Sequence, residues 1–426
     1  MPRLHVLCAP GLLALLAAGC ACGPGAGSDA GVDAGAEEVD AGPVDAGAPD
    51  AGAADAGRSD AGPPDAGPPD AGTPDAGCYR LTARAGTWTT GRPVALELAD
   101  LDGDGRLDFV VATTSALEVR LNDGQGGAAS PSLIAPLSAQ TLAVADLDGD
   151  GVLDLAAVDA AGVLTVLRGN GDGTFAVGAR LDAGQPFYVP LDTALGDLDS
   201  DGRLEFVTLD VGFATPRLRT VHGAFDGGAP RATTGSHQLV LAEVTGDGRL
   251  DALVGNAQYG LAMHPGDGDG GFGVPTVFLG STAVNALALG DVTGDGVADA
   301  VCATGYYDVS TGFVLGGGVS VLPGVDGGFG APRTLPGPDI IGAVVLADMN
   351  RDGPLDAVTS RFATNGGVEV LGGDDAGAFS LLLRVPGRTA RALAVGDLNA
   401  DGWPDLVVGS GAGSNGEVTV LMGSCQ

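Results

Sequence analysis

Seven segments of the chain repeat one acidic pattern, Asp-x-Asp-x-Asp-Gly-x-x-Asp, beginning at Asp100, Asp146, Asp197, Glu243, Asp291, Asp348 and Asp397. Oxygen-bearing side chains at positions 1, 3, 5 and 9 suit one hard cation, above all Ca2+, which takes roughly six to eight oxygen ligands. The ligand sets are Asp100, Asp102, Asp104 and Asp108; Asp146, Asp148, Asp150 and Asp154; Asp197, Asp199, Asp201 and Glu205. They continue with Glu243, Thr245, Asp247 and Asp251; Asp291, Thr293, Asp295 and Asp299; Asp348, Asn350, Asp352 and Asp356; Asp397, Asn399, Asp401 and Asp405. Carboxylates fill 24 of these 28 positions, which ordinary Asp- and Gly-rich turns do not require. Glycine at position 6, as at Gly105 and Gly402, permits the bend that wraps backbone around an ion. The Glu243 loop combines a longer first side chain with the neutral Thr245, and is expected to bind most weakly.

The elements that must position these loops are strands. An EF-hand needs helices and a bidentate Glu at position 12. Here that position holds Val111, Ala157, Thr208, Val254, Cys302, Thr359 and Val408. Short apolar runs bounded by Gly and Asp flank each loop, as in 143–145 before the second copy and 405–409 within the last. Such runs read as buried strands, so each loop joins one strand to the next. Successive loops are 46, 51, 46, 48, 57 and 49 residues apart, the period of a four-stranded β-propeller blade. In the fifth repeat the strands are expected at 286–290, 298–304, 318–322 and 331–335. Gly-rich turns ending in Phe recur between third and fourth strands, at 171–175, 268–272, 326–329 and 375–379.

A Phe-Gly followed by Gly-Ala-Pro-like residues, paired with acidic loops, resembles the FG-GAP repeat of the integrin α-subunit propeller, over essentially all of 78–426. The resemblance implies an all-β, seven-bladed β-propeller with four-stranded blades and calcium held on one face. All seven repeats carry a loop here, so the similarity is to the repeat rather than to an integrin. The last repeat ends after its third strand, around 417–423, and the segment 79–84 precedes the first loop without a repeat of its own. Pairing these two would close the ring and bring Cys78 beside Cys425, so a disulfide clasp is expected, two unrelated thiols being the alternative. Cys302 falls among apolar residues and reads as a buried small hydrophobe.

Upstream of the repeats, residues 1–19 have a basic start and a short apolar run ending at Ala17-Ala-Gly-Cys20, which resembles a bacterial lipobox. The resemblance implies cleavage before Cys20, lipidation there, and a location in the bacterial cell envelope, outer membrane or surface. Ordinary secretion with cleavage nearby is the alternative. Residues 20–77 form an acidic Pro/Ala/Gly/Asp linker in which Asp-Ala-Gly returns every five residues from Asp40 to Asp75. Its apolar content is nearly all Ala, so it cannot build a core and is expected to be a disordered stalk. Three segments result: a lipoprotein-type signal at 1–19, the linker at 20–77, and the propeller at 78–426.

Charge narrows the partners. The net charge is −34 and every basic residue is Arg, with no basic patch to neutralise phosphates, so nucleic acid is disfavoured. Membrane contact is expected through a lipid anchor only. No catalytic constellation is present: His222, His237 and His264 lack ligand spacing, and neither a Gly-x-Ser-x-Gly elbow nor a His-Glu-x-x-His motif occurs. The second-to-third turns and blade crossings, opposite the acidic loops, contain Trp88, Phe187, Tyr188, Phe213, Tyr306 and Tyr307. Aromatics in loops on a rigid scaffold suggest recognition, so the expected function is binding of a protein or glycan at the cell surface. A calcium-dependent polysaccharide lyase or hydrolase, and a purely structural envelope module, are the competing readings.

Overall fold

A computed structural model describes residues 78–425, apart from 84–86, 130–131, 136, 183–188, 212–215, 222–230, 233–237, 257–259, 281, 309–312, 338, 363–365, 388 and 413–414. The signal and linker, with Cys20, therefore lie outside the described residues, as do Phe187, Tyr188 and Phe213. Within them there is no α-helix.

Each acidic loop closes a hairpin between the first and second strands of an antiparallel sheet. The residue before position 1 pairs with position 9 in every copy: Ala99 with Asp108, Ala145 with Asp154, Gly196 with Glu205 and Ala242 with Asp251. The same register joins Gly290 to Asp299, Ala347 to Asp356 and Gly396 to Asp405. Among the described residues six sheets have four strands in sequential order, and the one carrying the Asp397 loop has five. The Asp348 sheet is representative, built from Ile340–Ala347, Asp356–Phe362, Gly367–Gly373 and Phe379–Pro386. In the Asp291 sheet the strands run Val284–Gly290, Asp299–Asp308, Phe313–Leu322 and Arg333–Pro336. The second and third strands there are longer than the sequence pattern suggests. Residues 306–308 and 313–315 extend the hairpin, pairing Tyr306 with Leu315, Tyr307 with Val314 and Asp308 with Phe313.

First strands pack side by side in chain order, and the last of them, Ala390–Gly396, returns to Pro93–Ala99. This is a β-propeller arrangement, with apolar side chains sandwiched between neighbouring sheets. One such layer joins Leu96, Phe109, Val111, Ala392, Val407 and Val418, all essentially buried. Because both faces of a blade are covered, its inner strands are continuous apolar runs; every residue of Asp108–Thr113 is buried. Cys302 is fully buried on a second strand, as a small core residue.

Both ends of the described chain meet in the five-stranded sheet. Tyr79–Ala83 pairs with 421–425 of the strand Asn415–Cys425, and Trp88–Gly91 pairs with 415–418 of the same strand. Since Asp405–Ala412 takes the other edge, the two N-terminal pieces share one edge as an interrupted outer strand. Cys78 and Cys425 are disulfide-bonded across 347 residues, with Cα atoms 4.9 Å apart. The strand Trp88–Gly91 was not foreseen. It corrects the placement of Trp88 among exposed loop aromatics: its ring packs edge-on against Phe109 at 5.3 Å, with the Arg120 guanidinium 5.0 Å from its centroid.

Candidate metal centre

The ninth residue of each loop is the most buried of the four ligand positions, from Asp154 at 2% exposed, through Asp108 and Glu205 at 1%, to Asp251, Asp299, Asp356 and Asp405 at 0%. A buried carboxylate must be satisfied, and its surroundings show how. One oxygen accepts the backbone N–H of position 2, as from Leu101 to Asp108 (3.0 Å), Leu198 to Glu205 (2.7 Å) and Leu398 to Asp405 (2.8 Å). The other accepts an N–H at the end of the third strand, from Asn122, Gly169, Gly266, Gly324, Gly373 and Gly423 in six blades. The ninth residue thus ties the loop to its own sheet as well as facing the ligand cluster. Sequence spacing alone identified only the second of these roles.

The third-strand glycines were likewise missed. A Cβ at Gly373 would lie 2.2 Å from the carbonyl oxygen of Leu355, and one at Gly423 2.1 Å from that of Pro404. Their recurrence at the end of the third strand in five repeats was the available signal. Apolar residues at position 2, such as Leu101, Val292, Met349 and Leu398, are buried and plug the loop into the interblade core.

The outer part of the loop is shaped by the first carboxylate. Asp100 Oδ1 accepts the N–H groups of Gly103 and Asp104, and Oδ2 that of Gly105. Asp397 and Asp348 each receive bonds from positions 5 and 6 in the same way. Among the described residues Glu243, with its extra methylene, accepts the Gly246 N–H at 2.6 Å and no bond from positions 5 and 6. Position 4 adopts a left-handed backbone even where it is not glycine, with φ of 60° at Ser200 and Arg351 and 57° at Ala400.

In three loops the carboxylates already converge. Ligand atoms of Asp100, Asp102 and Asp108 lie within 4.8 Å of one another, as do those of Asp146, Asp148 and Asp154, and of Asp197, Asp199 and Glu205. These clusters of oxygen donors can hold a metal ion. Two other loops contain a polar atom sealed from solvent without a hydrogen-bond partner: Asp352 Oδ1 and Thr293 Oγ1. Orphaned oxygens at ligand positions, in an all-oxygen donor set, fit a hard divalent cation. Position 5 remains on the exposed side, at Asp104, Asp150, Asp201, Asp247, Asp295 and Asp401.

The electrostatics suit a bound cation. Burial, opposed by the backbone N–H bonds, pushes Asp108, Asp356 and Asp405 up to about 6, with the lesser contributors being Asp102 and Asp104 for the first, Asp352 for the second, and Asp401 and Asp397 for the third. Asp154 and Asp348 are raised for the same first reason. Arginines partly relieve the repulsion: Arg106 pairs with Asp104, and Arg168 Nη1 contacts Asp148 Oδ2 at 2.7 Å. Trp403, inside the last loop, stacks on Tyr79 at 6.0 Å, with Arg351 5.3 Å from its ring. The turn 169–173 is a hairpin connection, closed by Asn170 N–H to the Thr174 carbonyl at 3.0 Å. His264 is buried near the Gly273 carbonyl.

Residues 100–157, 146–208 and 243–302 match the FG-GAP-like repeat, and 389–421 match the FG-GAP repeat. The chain carries FG-GAP repeats on a β-propeller. No curated protein matches it in sequence. Among solved structures, the BP39L lectin from Burkholderia pseudomallei is similar with a TM-score of 0.57 at 14% identity, over 79% of this chain and 97% of that one. BBS1N, solved in complex with ARL6DN, is similar with a TM-score of 0.56 at 12% identity, over 80% of this chain and 96% of that one. At these identities the likeness is one of fold.

Proposed function

We propose that this chain is an exported, surface-tethered, calcium-binding propeller of seven blades that binds a glycan or protein ligand. The observation that carries the calcium reading is the convergence of the three carboxylate trios on buried ninth residues already held by backbone N–H groups. Residues at positions 1, 3, 5 and 9 of each loop would hold the ion. When bound, Ca2+ supplies positive charge that neutralises the loop carboxylates and ties the first two strands of a blade together. The five-stranded sheet counts as the seventh blade, because its two N-terminal pieces lie end to end along one edge.

The binding reading draws on the FG-GAP repeats, on a propeller relative that is a lectin, and on another solved with a protein partner. Export and lipidation at Cys20 rest on the lipobox-like sequence, and the Cys78–Cys425 bridge suits an oxidising compartment. The aromatic set proposed for the calcium-free face is weakened, since Trp88 belongs to a packed layer and Tyr306 and Tyr307 lie on strands. The test is a glycan array and an envelope pull-down with the full chain, each in Ca2+ and in chelator. Reproducible capture of a saccharide or protein supports the reading, and none in either condition counts against it. A turnover assay on acidic polysaccharides separates binding from lyase or hydrolase activity.

A further inference from the structure

The acidic-loop end of the molecule holds a cavity of about 440 Å³ between the Asp146 and Asp197 blades. Its floor includes Leu164, Val166 and Phe206, and the layer beneath it has only four buried members among the described residues. Thin packing there leaves room that the other interblade layers fill with side chains.

The rim carries the chemistry. Asp146, Asp148 and Asp154 line one wall, while Arg168 and Arg203 enter from the two neighbouring blades. Arg168 is held by Asp148 and is 61% exposed, and Arg203 makes no ion pair among the described residues. With Asp150, the fourth ligand of that loop, four carboxylates and two guanidinium groups give a formal charge of −2; a divalent cation on the loop cancels it. In a cleft that is partly apolar, removal of that negative charge decides which ligands can enter.

We propose that this crevice is a calcium-gated site for an anionic saccharide. Arg168 and Arg203 offer planar donor forks that match a carboxylate or sulfate. The four carboxylates of the loop, each giving one oxygen, do not complete the roughly six to eight oxygens that calcium takes, so hydroxyl and carboxylate oxygens of a sugar suit what is left. The apolar floor suits the hydrophobic face of a pyranose ring, and the volume lies in the range of small-ligand pockets. Without cation, Arg168 is occupied by Asp148 and the acids repel an anionic ligand. The inference rests on the calcium-dependent binding reading above and assigns it a place and a ligand class.

The test uses the full chain, with trigalacturonate, a sulfated disaccharide and neutral maltotriose as probes, titrated calorimetrically in Ca2+ and in EGTA. Either anionic probe is expected to bind in Ca2+ at least tenfold more tightly than in EGTA, while maltotriose does not bind. Which anionic probe wins distinguishes carboxylate from sulfate recognition. The doubly substituted Arg168→Ala/Arg203→Ala chain should lose at least tenfold in affinity with its calcium stoichiometry unchanged and a cooperative melting transition retained in saturating Ca2+. Wild-type affinity in that variant, or equal binding in EGTA, overturns the crevice as the site. If calcium raises the melting temperature but no anionic probe binds, this inference fails while the calcium-stabilised propeller stands. If calcium has no effect on melting, the underlying reading fails as well.

Discussion

At the scale of single residues, the ninth loop position and the third do different work. Asp356 accepts N–H groups from Met349, Asn350 and Gly373, at 2.9, 3.2 and 3.0 Å, and is fully buried. Asp356→Ala strands these amides, and should cost about 3 kcal/mol or more even in EGTA. Asp102 accepts one bond, from Asp104 at 3.2 Å, so Asp102→Ala should leave EGTA stability within about 0.5 kcal/mol while abolishing calcium binding at its loop. Paired urea melts in EGTA and calcium titrations check both. Acidity adds a second readout. Asp108, Asp356 and Asp405 are raised to about 6, so in EGTA their contribution is complete near the usual carboxylate range and is lost as pH rises through about 6. Calcium needs the deprotonated form, so its affinity should fall as pH drops through the same window. Glu97 is pushed up to about 8 by burial and then by Asp192, away from the ligand clusters. In saturating Ca2+ it should leave a stability loss as pH rises from about 4.5 to about 8, which Glu97→Gln removes. A melting series across that range that is the same for both chains would contradict this.

At the scale of elements, the recurring glycine at the end of the third strand is as necessary as the acidic loop. Gly373→Ala drives a methyl into the Leu355 carbonyl and disturbs the N–H that satisfies Asp356, so a loss of several kcal/mol is expected in urea unfolding. The interrupted outer strand has its own test. Trp88→Ala should cost about 3–5 kcal/mol, because the indole fills the layer against Phe109. Much of this architecture was legible in the chain: the acidic loops stand where strands meet, the repeat period predicts blades, and Cys78 with Cys425 marks the clasp. What was not legible depends on contacts between distant backbones. No local pattern shows that the Asp356 carboxylate reaches Gly373, or that Ser200 and Ala400 accept a left-handed backbone for the sake of the bonds around them. Trp88 was misplaced because four residues, too few to show a period, pair only with the far end of the chain. Tyr306 and Tyr307 continue a strand beyond the usual blade length, where insertion length alone suggests a loop.

At the scale of the whole molecule, stability is a contest between interblade packing and crowded negative charge. The net charge is −34, and the loop ligands contribute 24 carboxylates. Disulfide and interrupted strand together close the ring across 347 residues; the chain-entropy account of such a bridge reaches roughly 5 kcal/mol, so Cys425→Ser should lower the melting temperature with calcium binding intact. Calcium acts on the same ring through many small increments. Each loop saturated at about 100 times its dissociation constant adds about 2.7 kcal/mol, if the unfolded chain does not bind. Several loops filled together should therefore raise the melting midpoint well above its value in EGTA. Monovalent salt separates the two contributions, since screening relieves repulsion between exposed acids and supplies no coordination. About 0.3 M NaCl should recover only part of the calcium-induced shift. If salt recovers all of it, the loops are merely charged turns, and the metal reading gives way at every blade together.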